Sequence, residues 1–258
     1  MFHFELTLLN IAILMLAAIA AGFVNALAGG GTLITFPVLI ALGIPPVAAN
    51  VTNTIALCPG YFAGTYAQKQ DFFKMKKLLG LIIPAAVLGG ITGGILLIYT
   101  PEKAFSTMIP YLIFAASAIL ALQIPLKKRL SRRNKKTNSG KTNPLLLSVL
   151  VFFAAVYGGY FGAGLGVILM AVLGLMLQES LTHINALKQA TSFVINIIAA
   201  VYFSFSGLVI WPVVGVMIMG SLAGGMLGGK LAGKINSEIL RWIVVIAGFS
   251  LALYYFVK

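Results

Sequence analysis

Two short runs hold most of the polar side chains that could meet a solute inside an otherwise apolar chain. The first contains Asn50, Thr52, Asn53 and Thr54, just after Pro45-Pro46; the second contains Asn185, Lys188, Gln189, Thr191 and Ser192. Amides and hydroxyls supply hydrogen-bond donors for oxyanion oxygens, and a lysine ammonium would supply the compensating charge. A glycine cluster precedes each run: Gly29-Gly30-Gly31, followed by Thr32, and Gly162-Ala163-Gly164-Leu165-Gly166. Glycine lets two backbones approach closely and lets the chain reverse with positive φ. The candidate binding residues are therefore Gly29, Gly30, Gly31, Thr32, Asn50, Thr52, Asn53, Gly164, Gly166, Asn185, Lys188 and Gln189. Plainer readings compete with this one. Glycines serve helix packing in membranes, amides and hydroxyls cap and glue helices, and Lys188 would snorkel if it stood one or two turns from an interface.

Other chemistries find little support. The five acids Glu5, Asp71, Glu102, Glu179 and Glu238 fall near segment ends or in loops, so no proton relay on a buried carboxylate and no aspartyl enzyme is expected. A single cysteine, Cys58, excludes an internal disulfide and a cysteine-based metal cluster. His183 lies four residues after Glu179, but no Gly-x-Ser-x-Gly pattern offers it a serine. An enzyme is not expected, nor a cofactor or a metal.

The elements that must position these residues come in two copies. Gly89-Gly90-Ile91-Thr92-Gly93-Gly94 returns as Gly224-Gly225-Met226-Leu227-Gly228-Gly229, displaced by 135 residues. The same ungapped shift carries Gly29 onto Gly164, Gly31 onto Gly166, Asn50 onto Asn185, Asn53 onto Lys188 and Thr54 onto Gln189. In a chain with 28 glycines single matches mean little, but a doubled six-residue pattern in register with them marks a duplication.

Composition fixes the solvent. With 60% hydrophobic and 9% charged residues and a mean hydropathy of +1.03, the chain is no water-soluble domain, which would carry about 25% charged residues. Apolar segments run about 6–28, 32–43, 47–67, 78–99 and 105–125, then 145–163, 167–178, 185–206, 211–232 and 238–257. The fold expected is all-α: a polytopic membrane protein of two repeats, 1–126 and 145–258, with about five segments each, joined by a basic linker at 127–144. The start Met1–Asn10 lacks the basic lead of a secretory signal, so the first segment is expected to be retained.

An odd number of segments per copy makes the second copy enter the membrane in the opposite sense. Charge placement agrees. The linker gathers Lys127, Lys128, Arg129, Arg132, Arg133, Lys135, Lys136 and Lys141 without an acid, which on a soluble protein would suggest nucleic acid and here marks a cytoplasmic loop. Loop 68–77 holds Lys69, Lys74, Lys76 and Lys77 against Asp71, while its counterpart 203–212 has no charge; Glu102 balances Lys103, while the matching end of the second copy offers Lys230, Lys234 and Arg241 against Glu238. Basic loops swap sides between copies, as inverted repeats require, and both termini fall outside.

The second segment of each copy is too short to cross. Thr32–Leu42 and Val167–Leu177 are 11 residues each, about 16 Å of helix against roughly 30 Å of hydrocarbon. Each copy is thus expected to fold a hairpin with a glycine turn below the surface, followed by a short broken helix. Because the first segment is long enough to cross fully, the depth of the turn is left open. Non-helical backbone is tolerated there only where protein or a watery cavity surrounds it, and helix N-termini aimed inward from both sides would cradle an anion.

The stretch Gly22-Phe23-Val24-Asn25-Ala26-Leu27-Ala28-Gly29-Gly30-Gly31-Thr32, on through Pro37 to Gly43-Ile44-Pro45-Pro46, resembles the TauE/SafE sulfite-exporter family; Gly159–Gly166 and Asn185-Ala186-Leu187-Lys188-Gln189-Ala190-Thr191-Ser192 resemble its second half. The resemblance spans nearly the whole chain outside the linker. It implies a multi-pass plasma-membrane transporter of sulfite, organosulfonates or related sulfur anions, with the family's glycine motifs on Gly29, Gly30, Gly31, Gly164 and Gly166. Ala28 stands where a further glycine is usual, and Asn50-Val51-Thr52-Asn53-Thr54 where a Gly-Thr-Ser-type pattern is common.

The function expected is alternating access to a small inorganic or organic anion held between the two copies. The partners are that anion and membrane lipid, with no nucleic acid; assembly with further copies of the chain is left open, as are the transport direction and coupling ion. A non-transporting membrane scaffold is the competing reading, and an intramembrane enzyme a more remote one.

Overall fold

The computed structural model of the chain describes residues 6–27, 29–67, 76–122, 125, 143–177, 179–231 and 237–257. Most of the basic linker, most of the 68–77 loop with Lys69, Asp71 and Lys74, and Ala28, Lys234 and Glu5 lie outside these residues. The described residues form ten helices: α1 Leu8–Leu27, α2 Thr32–Ala41, α3 Pro46–Ala67, α4 Lys76–Tyr99, α5 Glu102–Ala121, α6 Pro144–Tyr160, α7 Leu165–Met176, α8 Leu181–Ser204, α9 Trp211–Leu231 and α10 Ser237–Val257. Six are long and apolar enough to cross a membrane: α1, α5 and α9 whole, and α4, α8 and α10 over Leu78–Tyr99, Thr182–Ser204 and Ile239–Val257. At 22 residues α3 is long enough, yet its polar run Asn50, Thr52, Asn53 and Thr54 keeps it out of that set.

The 135-residue shift aligns the elements as well as the glycines. Carried forward, α3 would span 181–202, against 181–204 observed, and α5 would span 237–256, against 237–257. Both short helices appear, α2 with 10 residues and α7 with 12. Helix α8 departs from its expected start by four residues. It starts at Leu181 rather than near 185 because the Ser180 side chain accepts from the N–H of His183, a cap that begins the helix a turn earlier. Asn143 accepts from Leu145 and Leu146, with Pro144 at the first helical position, and so starts α6. At α3 the cap is remote: the Val47 N–H donates to Glu102 Oε1, 3.1 Å away on α5.

Glycines set how the helices pack. Gly220, Gly224 and Gly228 of α9 sit against the carbonyls of Met15, Ile19 and Phe23 of α1, each step four residues on both helices. The two helices therefore run the same way, with backbones too close for a Cβ. Gly89 and Gly93 of α4 meet the carbonyls of Phe152 and Val156 of α6 in the same fashion, and Gly90 and Gly94 meet Ile195 and Phe203 of α8. Shifting both partners of the Gly90–Ile195 contact by 135 gives the Gly225–Gly60 contact, which is also present. The doubled six-residue pattern thus belongs to helix packing, the small-residue interface that membranes favour.

Apolar side chains fill the rest. Phe36, Phe105 and Phe161 meet edge to face, with centroids 5.3–6.4 Å apart, and join α2, α5 and the second glycine turn. A second cluster, including Ile82, Val151, Leu169 and Ile195, binds α4, α6, α7 and α8. Large side chains such as Leu9, Leu16, Phe153, Met219, Ile246 and Leu253 stay exposed, as suits a surface solvated by lipid.

Candidate anion site between the two halves

Each short helix follows a turn that only glycine forms readily. Gly29 and Gly30 have φ of +79° and +104°, and Gly162 and Gly164 have +76° and +74°. The positions related by the shift, Gly29 and Gly164, share the left-handed conformation. Local hydrogen bonds hold both turns. Gly29 N–H donates to the Val24 carbonyl at 2.9 Å, and Gly31 N–H to Asn25 Oδ1 at 2.7 Å. In the second half Tyr157 donates its hydroxyl proton to the Ala163 carbonyl at 2.5 Å.

The two turns touch. A Cβ built on Gly29 would stand 3.2 Å from Gly166 Cα, and one built on Gly166 would stand 3.3 Å from Gly29 Cα. Gly31 lies against the Ala21 carbonyl and Asn25, whereas Gly30 faces the flexible end of Leu120. Gly29, Gly30, Gly31, Thr32, Gly164 and Gly166 are all buried.

Lys188 reaches this crossing. A Cβ on Gly166 would lie 3.5 Å from Lys188 Cδ, so the aliphatic stem runs along the second turn. The whole side chain is 0% exposed. An early start for α8 places Lys188 about two turns inside the helix, and burial excludes the snorkelling reading within this structure. Gln189, its neighbour, packs on Gly64 of α3. Asn50 approaches the same turn from α3, donating its Nδ2 proton to the Tyr160 carbonyl at 2.7 Å.

Several buried polar atoms on α3 and α8 have no hydrogen-bond partner among the described residues: Asn50 Oδ1, Asn53 Oδ1, both amide atoms of Gln189, Thr191 Oγ1 and Ser192 Oγ. All belong to side chains no more than 1% exposed. A native interior leaves few such groups, and each calls for a partner. Thr191 and Ser192 are therefore further candidates beside the residues picked from sequence. Asn25 and Tyr157, which brace the turns, were not singled out; an amide near the end of the apolar α1 segment was the available signal.

Other sequence candidates are placed differently. Thr52 accepts from the Ile210 N–H at 3.1 Å, so its hydroxyl fastens the loop before α9. Thr54 bonds back to the Asn50 carbonyl within its own helix. Asn185 is half-buried one turn before Lys188. Glu179 and His183 pair at 3.0 Å at the partly exposed start of α8. Among the described residues no group of three metal-ligating side chains occurs.

Comparison with known proteins agrees with this architecture. The profile of the family described as Sulfite exporter TauE/SafE matches residues 14–255. A "Probable membrane transporter protein" of Haemophilus influenzae is 30% identical over 243 residues, covering 93% of this chain and 92% of that protein. Two others are 27% identical: "Probable membrane transporter protein ORF9" of a Sinorhizobium species, with 94% and 91% covered, and "Probable membrane transporter protein YfcA" of Escherichia coli K12, with 95% and 89%. No solved structure matches. A duplicated, glycine-packed helical chain whose length is matched almost end to end in this way belongs to the TauE/SafE family of multi-pass membrane transporters.

Proposed function

We propose that this transporter moves a small sulfur-containing oxyanion, such as sulfite or an organosulfonate, by alternating access to a site between two oppositely oriented halves. The observation that carries the reading is Lys188: a fully buried lysine whose stem lies on the crossing of two glycine turns, beside donors from α8. An ionisable group at membrane depth marks a solute pathway by default. The relatives' family description supplies the sulfur chemistry.

Helix directions support opposed halves. α1 and α9 run alike, as do α3 and α9, since Thr52 meets Ile210 and Gly60 meets Ser221 further along both. α4, α6 and α8 likewise share one sense. Val47, at the start of α3, bonds Glu102, three residues past the end of α4, so α4 returns antiparallel to α3. It follows that α1 and α6, the first helices of the two halves, point in opposite directions. In such an arrangement equivalent points lie at equal and opposite depths. Turns that touch each other then lie close to the midplane, where inverted-repeat transporters hold their solutes.

The domain division fits the same reading: two transmembrane halves, 1–126 and 145–258, joined by a basic linker on the cytoplasmic side. The chemistry requires no enzyme. An anion leaving water would exchange its hydration for Lys188, the Gln189 amide and the Thr191 and Ser192 hydroxyls.

The test is sulfite flux into proteoliposomes. Lys188→Met keeps the buried stem and removes the charge, and Asn50→Ala releases the second turn; both are expected to lower flux by about a hundredfold or more, the cost of losing a buried charge-assisted contact. Normal flux in both would refute the site. Flat flux in the parent protein would favour a scaffold.

A further inference from the structure

Buried serines and threonines of this chain often turn back on their own helix. Thr54, Thr65, Thr92, Ser106, Ser117 and Ser204 each donate to the carbonyl four residues earlier, at 2.8–2.9 Å. Ser192 departs from this habit. It is 1% exposed, and its Oγ has no hydrogen-bond partner among the described residues. The Ser192 carbonyl is taken by Asn196, which donates one Nδ2 proton to it at 2.8 Å. That bond fixes which end of the amide is nitrogen and leaves a second Nδ2 proton to offer.

Both residues continue the face of α8 that holds the proposed anion site. Asn185, Gln189, Ser192 and Asn196 are spaced by four, three and four residues, with Lys188 beside Gln189, so they share one side of the helix. From the half-buried Asn185 to Asn196, which is 6% exposed, this face covers about 16 Å of helix.

Contacts with α3 locate the centre of the molecule along that face. Gln189 packs on Gly64 and Phe193 on Phe62, so α8 and α3 run antiparallel. Five residues on from Gln189 stands Val194, level with Pro59, five residues back from Gly64; Val194 is also Pro59 carried forward by the 135-residue shift. In two opposed halves, equivalent residues that stand level mark the centre. Lys188 lies about 9 Å before it and Ser192 about 3 Å before it, whereas Asn196 lies about 3 Å beyond. The same face of α3 carries Asn50, Asn53 and Thr54, but Leu57 and Tyr61 stand at the positions equivalent to Ser192 and Asn196 and join an apolar cluster with Ala21. The polar face thus crosses the centre on α8 and not on α3.

We infer that Asn196 is a second station for the anion, beyond the centre, which receives it from Lys188 and Gln189 with Ser192 shared between the two. A neutral amide and a hydroxyl suit that place. Each donates to an oxyanion, and neither brings the fixed charge that would hold the anion there. This rests on the anion site proposed above and names the positioning residue that carries the solute past it.

The test separates binding from turnover on the full-length protein, with sulfite as the probe. Asn196→Leu keeps the side-chain volume and removes the donor. Calorimetry in detergent should give a sulfite Kd within about threefold of the parent, because Lys188 and Gln189 are untouched. Flux per folded molecule in proteoliposomes should fall about ten- to hundredfold, the range for a lost hydrogen bond to a charged group. Asn196→Ala makes the same comparison if the leucine variant does not fold. Ser192→Ala should weaken binding and slow flux together, by about tenfold each, yet melt no lower than the parent, because it deletes a buried group that bonds nothing in the protein. Parent-like flux in the Asn196 variants would overturn the second station. Loss of sulfite binding in step with flux in those variants would overturn it too, by making Asn196 part of the first site. A parent protein that binds no sulfite would instead remove the anion site itself.

Discussion

Replacing Gly29 with alanine separates the crossing of the turns from their shape. Gly29 has φ +79°, and Gly43, in the loop between α2 and α3, has φ +84°. Alanine in either place meets the same left-handed penalty, about 1–2 kcal/mol. The surroundings differ. A Cβ on Gly43 has nothing within 4 Å, while one on Gly29 stands 3.2 Å from Gly166 Cα and 3.6 Å from Val167 N. Those atoms are backbone and have no rotamer to move. Forcing the turns apart adds about 1–3 kcal/mol, the usual cost of overpacking. Gly43→Ala should therefore be about 1–2 kcal/mol less stable than the parent and transport normally. Gly29→Ala should lose about 2–5 kcal/mol, and its surviving folded fraction should transport poorly, because the strain falls at the proposed anion site. Detergent-solubilised protein would be followed by thermal inactivation, and proteoliposomes by sulfite flux per folded molecule. If Gly29→Ala matched Gly43→Ala in both assays, the contact between turns would have no role in transport.

Other outcomes follow from the packing. Thr52→Val removes the acceptor for Ile210 N–H and should cost about 0.5–1.5 kcal/mol in denaturation while leaving anion affinity unchanged, since that hydroxyl is already engaged. Gly224→Val would drive a side chain into the Ile19 carbonyl on α1; size-exclusion chromatography should show loss of monodisperse protein rather than a selective transport defect. Cys58 is 5% exposed on α3, so a membrane-impermeant maleimide should label it only after denaturation, as read by mass shift.

The amino-acid order made most of the helices legible because strong signals bound them. Pro46 and Pro144 open α3 and α6, glycine clusters interrupt each half after its first segment, and length alone separated α2 and α7 from the crossing helices. The duplication was legible from the doubled glycine pattern, and its packing role from small-residue spacing. Ser180 could have given the start of α8, but the next polar residues masked it: a run through Asn185 looks like a loop until the cap is seen. Burial of Lys188 could not be read, since a lysine two turns into a helix either snorkels or is enclosed depending on which neighbours arrive. Those neighbours, Gly166 and the first turn at Gly29, come from 22 and 159 residues away. Thr52 shows the converse. Its type and place suit a ligand, yet a long-range contact with Ile210 claims it.

Selenite offers the most direct test of the site, because it mimics sulfite and scatters anomalously. Diffraction at the selenium edge from crystals of the protein soaked in selenite should place one strong peak between α3 and α8, within contact distance of Lys188 Nζ and beside Gly166, and that peak should vanish in Lys188→Met crystals. Peaks confined to the outer surface, or an unchanged peak in the variant, would contradict an anion held where the two glycine turns cross.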